Sequence, residues 1–142
     1  MRSIKQLLEG RGFPVHVKPG DTVLKALQKM SEKEIGALLV LENDRLVGIF
    51  SERDYARKVV LKGKASKDTP VREVMSERIV YVTPEKTVEE CMALMTDRRC
   101  RHLPVLGAGQ EVLGILSIGD LVKETISEQK FIIEQLERYI TQ

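Results

Sequence analysis

The chain repeats itself, and that limits what it can fold into more than any other feature, because an internal period implies two copies of one supersecondary unit stacked together. Residues 17–41 (VKPGDTVLKALQKMSEKEIGALLVL) align without a gap on residues 82–106 (VTPEKTVEECMALMTDRRCRHLPVL), 65 positions later. Val17/Val82, Pro19/Pro84, Thr22/Thr87, Val23/Val88, Met30/Met95, Leu38/Leu103, Val40/Val105 and Leu41/Leu106 are identical pairs. One inserted residue moves the offset to 66, at which Gly-Ile-Phe-Ser-Glu-Arg-Asp (48–54) matches Gly-Ile-Leu-Ser-Ile-Gly-Asp (114–120). Upstream, VREVM at 71–75 echoes IKQLL at 4–8 at an offset of 67.

Within each unit the hydrophobic period changes in a readable order. An extended piece ends at Pro19 or Pro84, whose fixed φ and missing N–H close it off. A helix follows, with Val23, Leu27 and Met30, or Val88, Met92 and Met95, spaced four and three apart on one buried face. Asp21 or Thr22 can cap the first copy and Thr87 the second. Two short apolar runs, 37–41 and 46–50, flank Asn43-Asp44 and read as a hairpin. Ser51 or Ser117 then opens a second helix, over 52–61 or 118–126.

The expected class is therefore α/β (α+β), with β-α-β-β-α occurring twice and the two sheets packed as one pseudo-two-fold body. The boundaries expected are repeat 1 with its lead-in helix over 1–61, a polar linker at 62–70, repeat 2 with its own lead-in helix over 71–126, and a helical extension over 127–142. In that extension Ile126, Ile133, Leu136 and Ile140 share a stripe that either packs back on its own domain or meets a second chain.

Composition excludes several function classes. The 142 residues carry 23 basic and 21 acidic side chains, so no overall field drives the chain onto nucleic acid or an anionic membrane, and any anion site must be local. The first residues, MRSIKQLLEG, are charged throughout and read as neither signal peptide nor membrane span, which makes the cytoplasm the default. Cys91 and Cys100 form no CxxC pair and suggest a reducing compartment. With His16 and His102 they show no metal-ligand spacing, so no metal is expected, and Cys91 reads as a small core residue. No catalytic triad, paired carboxylates or P-loop can be assembled, and the expectation is that the chain is not an enzyme.

The sharpest signal is G-x-x-S-x-x-D at the junction of the last strand and last helix of both units. Ser with an acid three residues on is a capping box, which would account for it structurally. The same geometry also suits a ligand: a helix N-terminus attracts phosphate, and a carboxylate beside it can accept from two ribose hydroxyls. Gly48 and Gly114 would let a ligand approach the backbone.

With x-P-x-x-T-V before each first helix and G-h-h-S-x-x-D before each second, nearly the whole chain resembles a tandem CBS (cystathionine-β-synthase type) pair, or Bateman module. The resemblance implies a disc-like pair, usually doubled into a homodimer, that binds adenosine ligands such as AMP, ADP, ATP, NAD or S-adenosylmethionine between the repeats and signals to a regulated protein. The alternative is a ligand-independent scaffold or dimerisation module. The stretches SERDYARK and SIGDLVK resemble two-repeat proteins of bacteria and plant organelles, which ranks AMP first and NAD second.

Carried over by position, the resemblance implies that Asp54 and Asp120 hold ribose, that Ser51 and Ser117 help hold phosphate, that Ile79 and Val80 line the adenine near Asp54, and that Phe13, Pro14 and Val15 do so near Asp120. It also offers the run Arg98-Arg99-Cys100-Arg101-His102 a phosphate role, where composition alone would read a solvated face. Arg99 and Arg101 precede the strand of repeat 2, whereas repeat 1 has Glu34 and Gly36 there, so the Asp120 cleft is expected to be the better phosphate site, partly offset by Arg53 in the other.

Overall fold

The computed structural model describes residues 1–141; Gln142, the last residue of the expected extension, lies outside the described residues. The first unit contains β1 (His16–Val17), α2 (Val23–Lys33), β2 (Ala37–Glu42) and β3 (Arg45–Ser51), preceded by α1 (Ile4–Leu8). A short helix α3 (Glu52–Asp54) follows and widens without a break into a π-helical segment, Tyr55–Val60. The second unit contains α4 (Val88–Arg98), β4 (His102–Leu106), β5 (Val112–Ser117) and α5 (Ile118–Thr141).

Local chemistry explains these elements. Thr22 Oγ1 accepts from the Lys25 N–H at 3.1 Å and Thr87 Oγ1 from the Glu90 N–H at 3.0 Å, each satisfying an orphan donor of the first turn. Both helices end on a left-handed residue, Glu34 and Arg99, each with φ of 53°. Asn43 and Asp44 both have positive φ, the requirement of a two-residue hairpin turn whose twist matches the flanking strands.

Two sequence expectations need correction, and two boundaries gain detail. The lead-in of repeat 2 is a single 3-10 turn, Val71–Glu73, rather than a helix. The helical extension continues the last helix of repeat 2, since α5 runs unbroken from Ile118 to Thr141. The first strand of repeat 2 shrinks to one bridge, Val82 to Val105. In repeat 1 the Leu39 N–H donates to the Val15 carbonyl, but the residue matching Leu39 is Pro104, which has no N–H to give. Between the repeats, the carbonyls of Thr69 and Ser66 accept from the N–H groups of Val23 and Leu24, completing the cap of α2.

Packing exchanges the lead-ins between the repeats. Ile4 and Leu7 of α1 are buried in the core of repeat 2 with Val88, Cys91, Met95, Leu103, Leu116 and Leu121. Val71 and Val74 are buried in the core of repeat 1 with Val23, Met30, Leu38, Val40 and Phe50. A third cluster, Leu39, Leu41, Leu106 and Val112, joins the two hairpins. Gly48 and Gly114 stand where the lead-ins approach closely: a Cβ would sit 2.5 Å from Met75 Sδ and 3.2 Å from the Ser76 carbonyl at the first, and 2.7 Å from Leu8 Cδ2 at the second, so those neighbours would have to shift.

Candidate functional site

Because the lead-ins cross over, the carboxylate ending each G-x-x-S-x-x-D motif faces a segment of the opposite repeat. Asp54 is 6% exposed. Its Oδ2 accepts from the backbone N–H and the hydroxyl of Ser51, both at 3.0 Å, while the Asp54 N–H donates to Ser51 Oγ at 3.2 Å. Its Oδ1 accepts from the Ser76 hydroxyl at 2.9 Å and lies 3.0 Å from Lys58 Nζ, one helical turn on. Ser76 is fixed here by paired backbone bonds with Ile49 (3.0 and 2.8 Å), which lay the second lead-in along β3.

This carboxylate lines a cavity of about 740 Å³ built from three segments. Repeat 1 contributes Ile49, Ser51, Glu52 and Arg53; the second lead-in contributes Ser76, Arg78, Ile79 and Val80; the turn from α4 into β4 contributes Arg98 through His102, with Pro104 behind it. Ile79, Val80, Ile49 and Pro104 supply apolar walls, and the charged groups sit around them, the mixture expected of a small-molecule site. Burial pushes the His102 imidazole below its ordinary pKa, and Arg101 adds to this against the opposing carboxylates of Asp120 and Glu52. Burial also raises the Cys100 thiol, which disfavours the thiolate.

The second carboxylate is engaged differently. The Asp120 Oδ2 accepts from the Ser117 N–H at 2.8 Å and the Asp120 N–H donates to Ser117 Oγ at 3.1 Å, so the capping box forms in both repeats. Both Asp120 oxygens are then taken by one side chain: Arg11 Nη2 donates to Oδ1 at 2.9 Å and Nη1 to Oδ2 at 3.2 Å. Burial works to raise this carboxyl's pKa, but the Arg11 guanidinium and the Ser117 N–H hold it below the ordinary carboxylate range.

The structure brings together Ser51, Arg53, Asp54, Ile79, Val80, Arg99, Arg101 and His102. Phe13, Pro14 and Val15 line a smaller pocket of about 260 Å³ with His16, Lys29, Glu32 and Lys33. The arginine run was expected at Asp120, the carboxylate of its own repeat; it lines the cavity that Asp54 also lines. Arg53 Nη1 donates to the Arg99 carbonyl at 3.2 Å, tying the second helix of repeat 1 to the end of α4 in repeat 2.

Sequence reasoning missed Ser76, Lys58, Arg78 and Arg11. Ser76 and Lys58 carry no motif, but the two arginines had one: at the lead-in offset of 67, Arg11 falls on Arg78.

The class the fold defines is a two-repeat α+β domain pair with crossed lead-ins. The chain belongs to the CBS domain family, whose model matches residues 12–61 and 71–127. It is 41% identical over 125 residues to the CBS domain-containing protein CBSX3, mitochondrial, of Arabidopsis thaliana, covering 84% of this chain and 60% of that relative. The solved CBS domain NE2398 is 50% identical, with a TM-score of 0.81 over 89% of this chain and 99% of the other. The CBS domain protein PAE2072 of Pyrobaculum aerophilum, solved in complex with AMP, shares the fold at 22% identity, with a TM-score of 0.75 over 84% of this chain and 89% of that one. The chain thus spans about 60% of the length of its Arabidopsis relative.

Proposed function

We propose that this chain is a regulatory module, not an enzyme, that binds an adenine nucleotide in the Asp54 cavity and passes the event to a partner protein by a change of shape or assembly. The observation that carries this reading is the convergence of Ser51 and Asp54, the apolar strip Ile79–Val80, and a basic turn of the other repeat on one cavity large enough for a nucleotide. Asp54 takes the ribose, exchanging its bonds to Ser76 and Lys58 for ribose hydroxyls, and Ile79 and Val80 take the base. The AMP complex of the Pyrobaculum protein supports an adenine ligand, with AMP the first candidate and NAD the second. Asp120, held by Arg11, is assigned the weaker site, which reverses the expected order of the two clefts. The cytoplasm is the proposed location; among the described residues no helix is long and apolar enough to cross a membrane.

A thermal-shift panel of AMP, ADP, ATP, NAD, NADH and S-adenosylmethionine tests the reading. A ligand that binds only the folded state raises the melting temperature with the logarithm of its concentration over Kd, adding about 2.7 kcal/mol of stability at a hundredfold excess. No shift with any of the six would remove the nucleotide reading.

A second reading, as a dimerisation scaffold, is favoured by a separate observation. Ile133, Leu136 and Ile140 of α5 are 53%, 56% and 78% exposed, so their stripe does not pack back on its own domain. An amphipathic helix left this open suits a second copy of the chain. Light scattering at micromolar concentration is expected to show a homodimer, weakened by removal of 127–142; a monomer would refute it.

A further inference from the structure

The two acid-tipped motifs part company one helical turn further on. Asp54 is followed four residues later by Lys58 and Asp120 by Glu124, so equivalent positions carry opposite charge. Lys58 answers Asp54 from within its own helical run at 3.0 Å. Asp120 and Glu124 instead set two carboxylates on one face of α5, and the cations that meet them come from the lead-in of repeat 1. Glu124 accepts from the Arg2 backbone N–H at 2.7 Å and from Arg2 Nε at 2.9 Å. Asp120 accepts from both terminal nitrogens of Arg11, one of which also donates to the Ile115 carbonyl at 3.4 Å.

Residues 2–11 thus lie across the start of α5 as a strap, buckled by an arginine at each end and held down between them by Ile4 and Leu7 in the core of repeat 2. The buckles are unequal. The Glu124 side chain is 5% exposed, and a carboxylate that deep keeps its cation, because parting them leaves a buried, unpaired charge. Asp120 at 24% and Arg11 at 42% stand in water, where an ion pair exchanges readily. The other half of the molecule is built without a strap: at the lead-in offset of 67, Arg2 falls on Thr69 and Arg11 on Arg78, while Asp54 is taken by Lys58 and Ser76.

The Arg11 fork also imitates a ligand. Two parallel N–H donors on the two oxygens of Asp120, at 2.9 and 3.2 Å, are what two adjacent sugar hydroxyls would offer the same carboxylate. One group excludes the other. We infer that Arg11 is a built-in competitor at Asp120: the strap holds the second cleft shut against a nucleoside, and a nucleoside that takes Asp120 frees the Arg11 end of the strap while Arg2 keeps the other end in place. This rests on the nucleotide reading above and makes the strap the moving part through which occupation of the second cleft reaches α1 and α5. A cleft that is open in only a small fraction of molecules binds more weakly by that fraction, so removing the competitor strengthens it.

Calorimetry with AMP, repeated with NAD, tests this on the intact chain. The unaltered chain is expected to bind one nucleotide at the Asp54 cavity and a second about tenfold or more weakly. Arg11→Met, which removes the fork and keeps most of the stem, should tighten the second event by about tenfold, and Arg11→Met/Asp120→Ala should lose it. Hydrogen exchange reads the strap directly. Amides of residues 9–12 should exchange about tenfold faster in Arg11→Met without ligand, and saturating nucleotide should speed them in the unaltered chain. A thermal melt checks that each variant is folded. Two equal sites in the unaltered chain, or a second event and exchange rates that Arg11→Met leaves unchanged, would overturn the inference and leave the nucleotide reading of the Asp54 cavity intact. Failure of both nucleotides to bind any of these chains would overturn both.

Discussion

Asp54→Ala is expected to bind adenine nucleotide about ten- to a hundredfold more weakly than the unaltered chain, the equivalent of losing one or two hydrogen bonds to a charged acceptor at about 1.5–3 kcal/mol. The same substitution removes the acceptor for the Ser51 N–H and for the Ser76 hydroxyl, so a stability loss of about 1 kcal/mol accompanies it. Asp120→Ala provides the contrast. It frees Arg11 and breaks an equivalent capping box, yet it leaves the large cavity untouched, and its effect on affinity should stay within about threefold. Calorimetry on both variants, with a thermal melt of each, separates ligand contact from capping. A lowered melting temperature with unchanged affinity for Asp54→Ala would show that the carboxylate serves the helix alone.

The largest expected loss of stability comes from Phe50→Ala. Phe50 is completely buried in the core of repeat 1, paired across the hairpin with Leu38 and packed with Val17, Val23 and Val74. Truncating a buried phenylalanine typically costs about 3–5 kcal/mol, from lost transfer energy and from the cavity left behind. Against a total stability of about 5–15 kcal/mol for a domain of ordinary size, that leaves a marginal protein. The melting temperature should fall by more than about 10 °C. Phe13, 60% exposed, should tolerate the same change to within about 0.5 kcal/mol. Urea denaturation of the two variants measures both, and similar midpoints would mean that the repeat 1 core does not carry the fold.

The residue next to Phe50 is Ser51, so the core of repeat 1 also sets the site. Alternation along β3 sends Phe50 inward and leaves Ile49 and Ser51 on the side where the second lead-in and the cavity lie. A substitution that loosens this core is expected to weaken ligand binding as well.

What the amino-acid sequence determined by itself was local. The duplication, the helix periods at Val23 and Val88, the caps at Thr22, Thr87, Ser51 and Ser117, and the turn at Asn43-Asp44 depend on residues within a few positions of one another, where helix and strand periods act directly. The position of Asp54 beside Ile79 and Val80 was legible only through the family resemblance. The tertiary structure alone decided which segment meets which carboxylate. Arg11 reaches Asp120 across 109 positions, and Arg53 reaches the Arg99 carbonyl across 46. Those meetings follow from two hairpins packing face to face and exchanging lead-ins, a choice made by buried area between distant residues such as Leu39, Leu41 and Leu106 rather than by any period along the chain. The arginine run was visible in the sequence as charge, but the repeat whose motif it faces was set only when α1 closed on one core and Val71 and Val74 on the other.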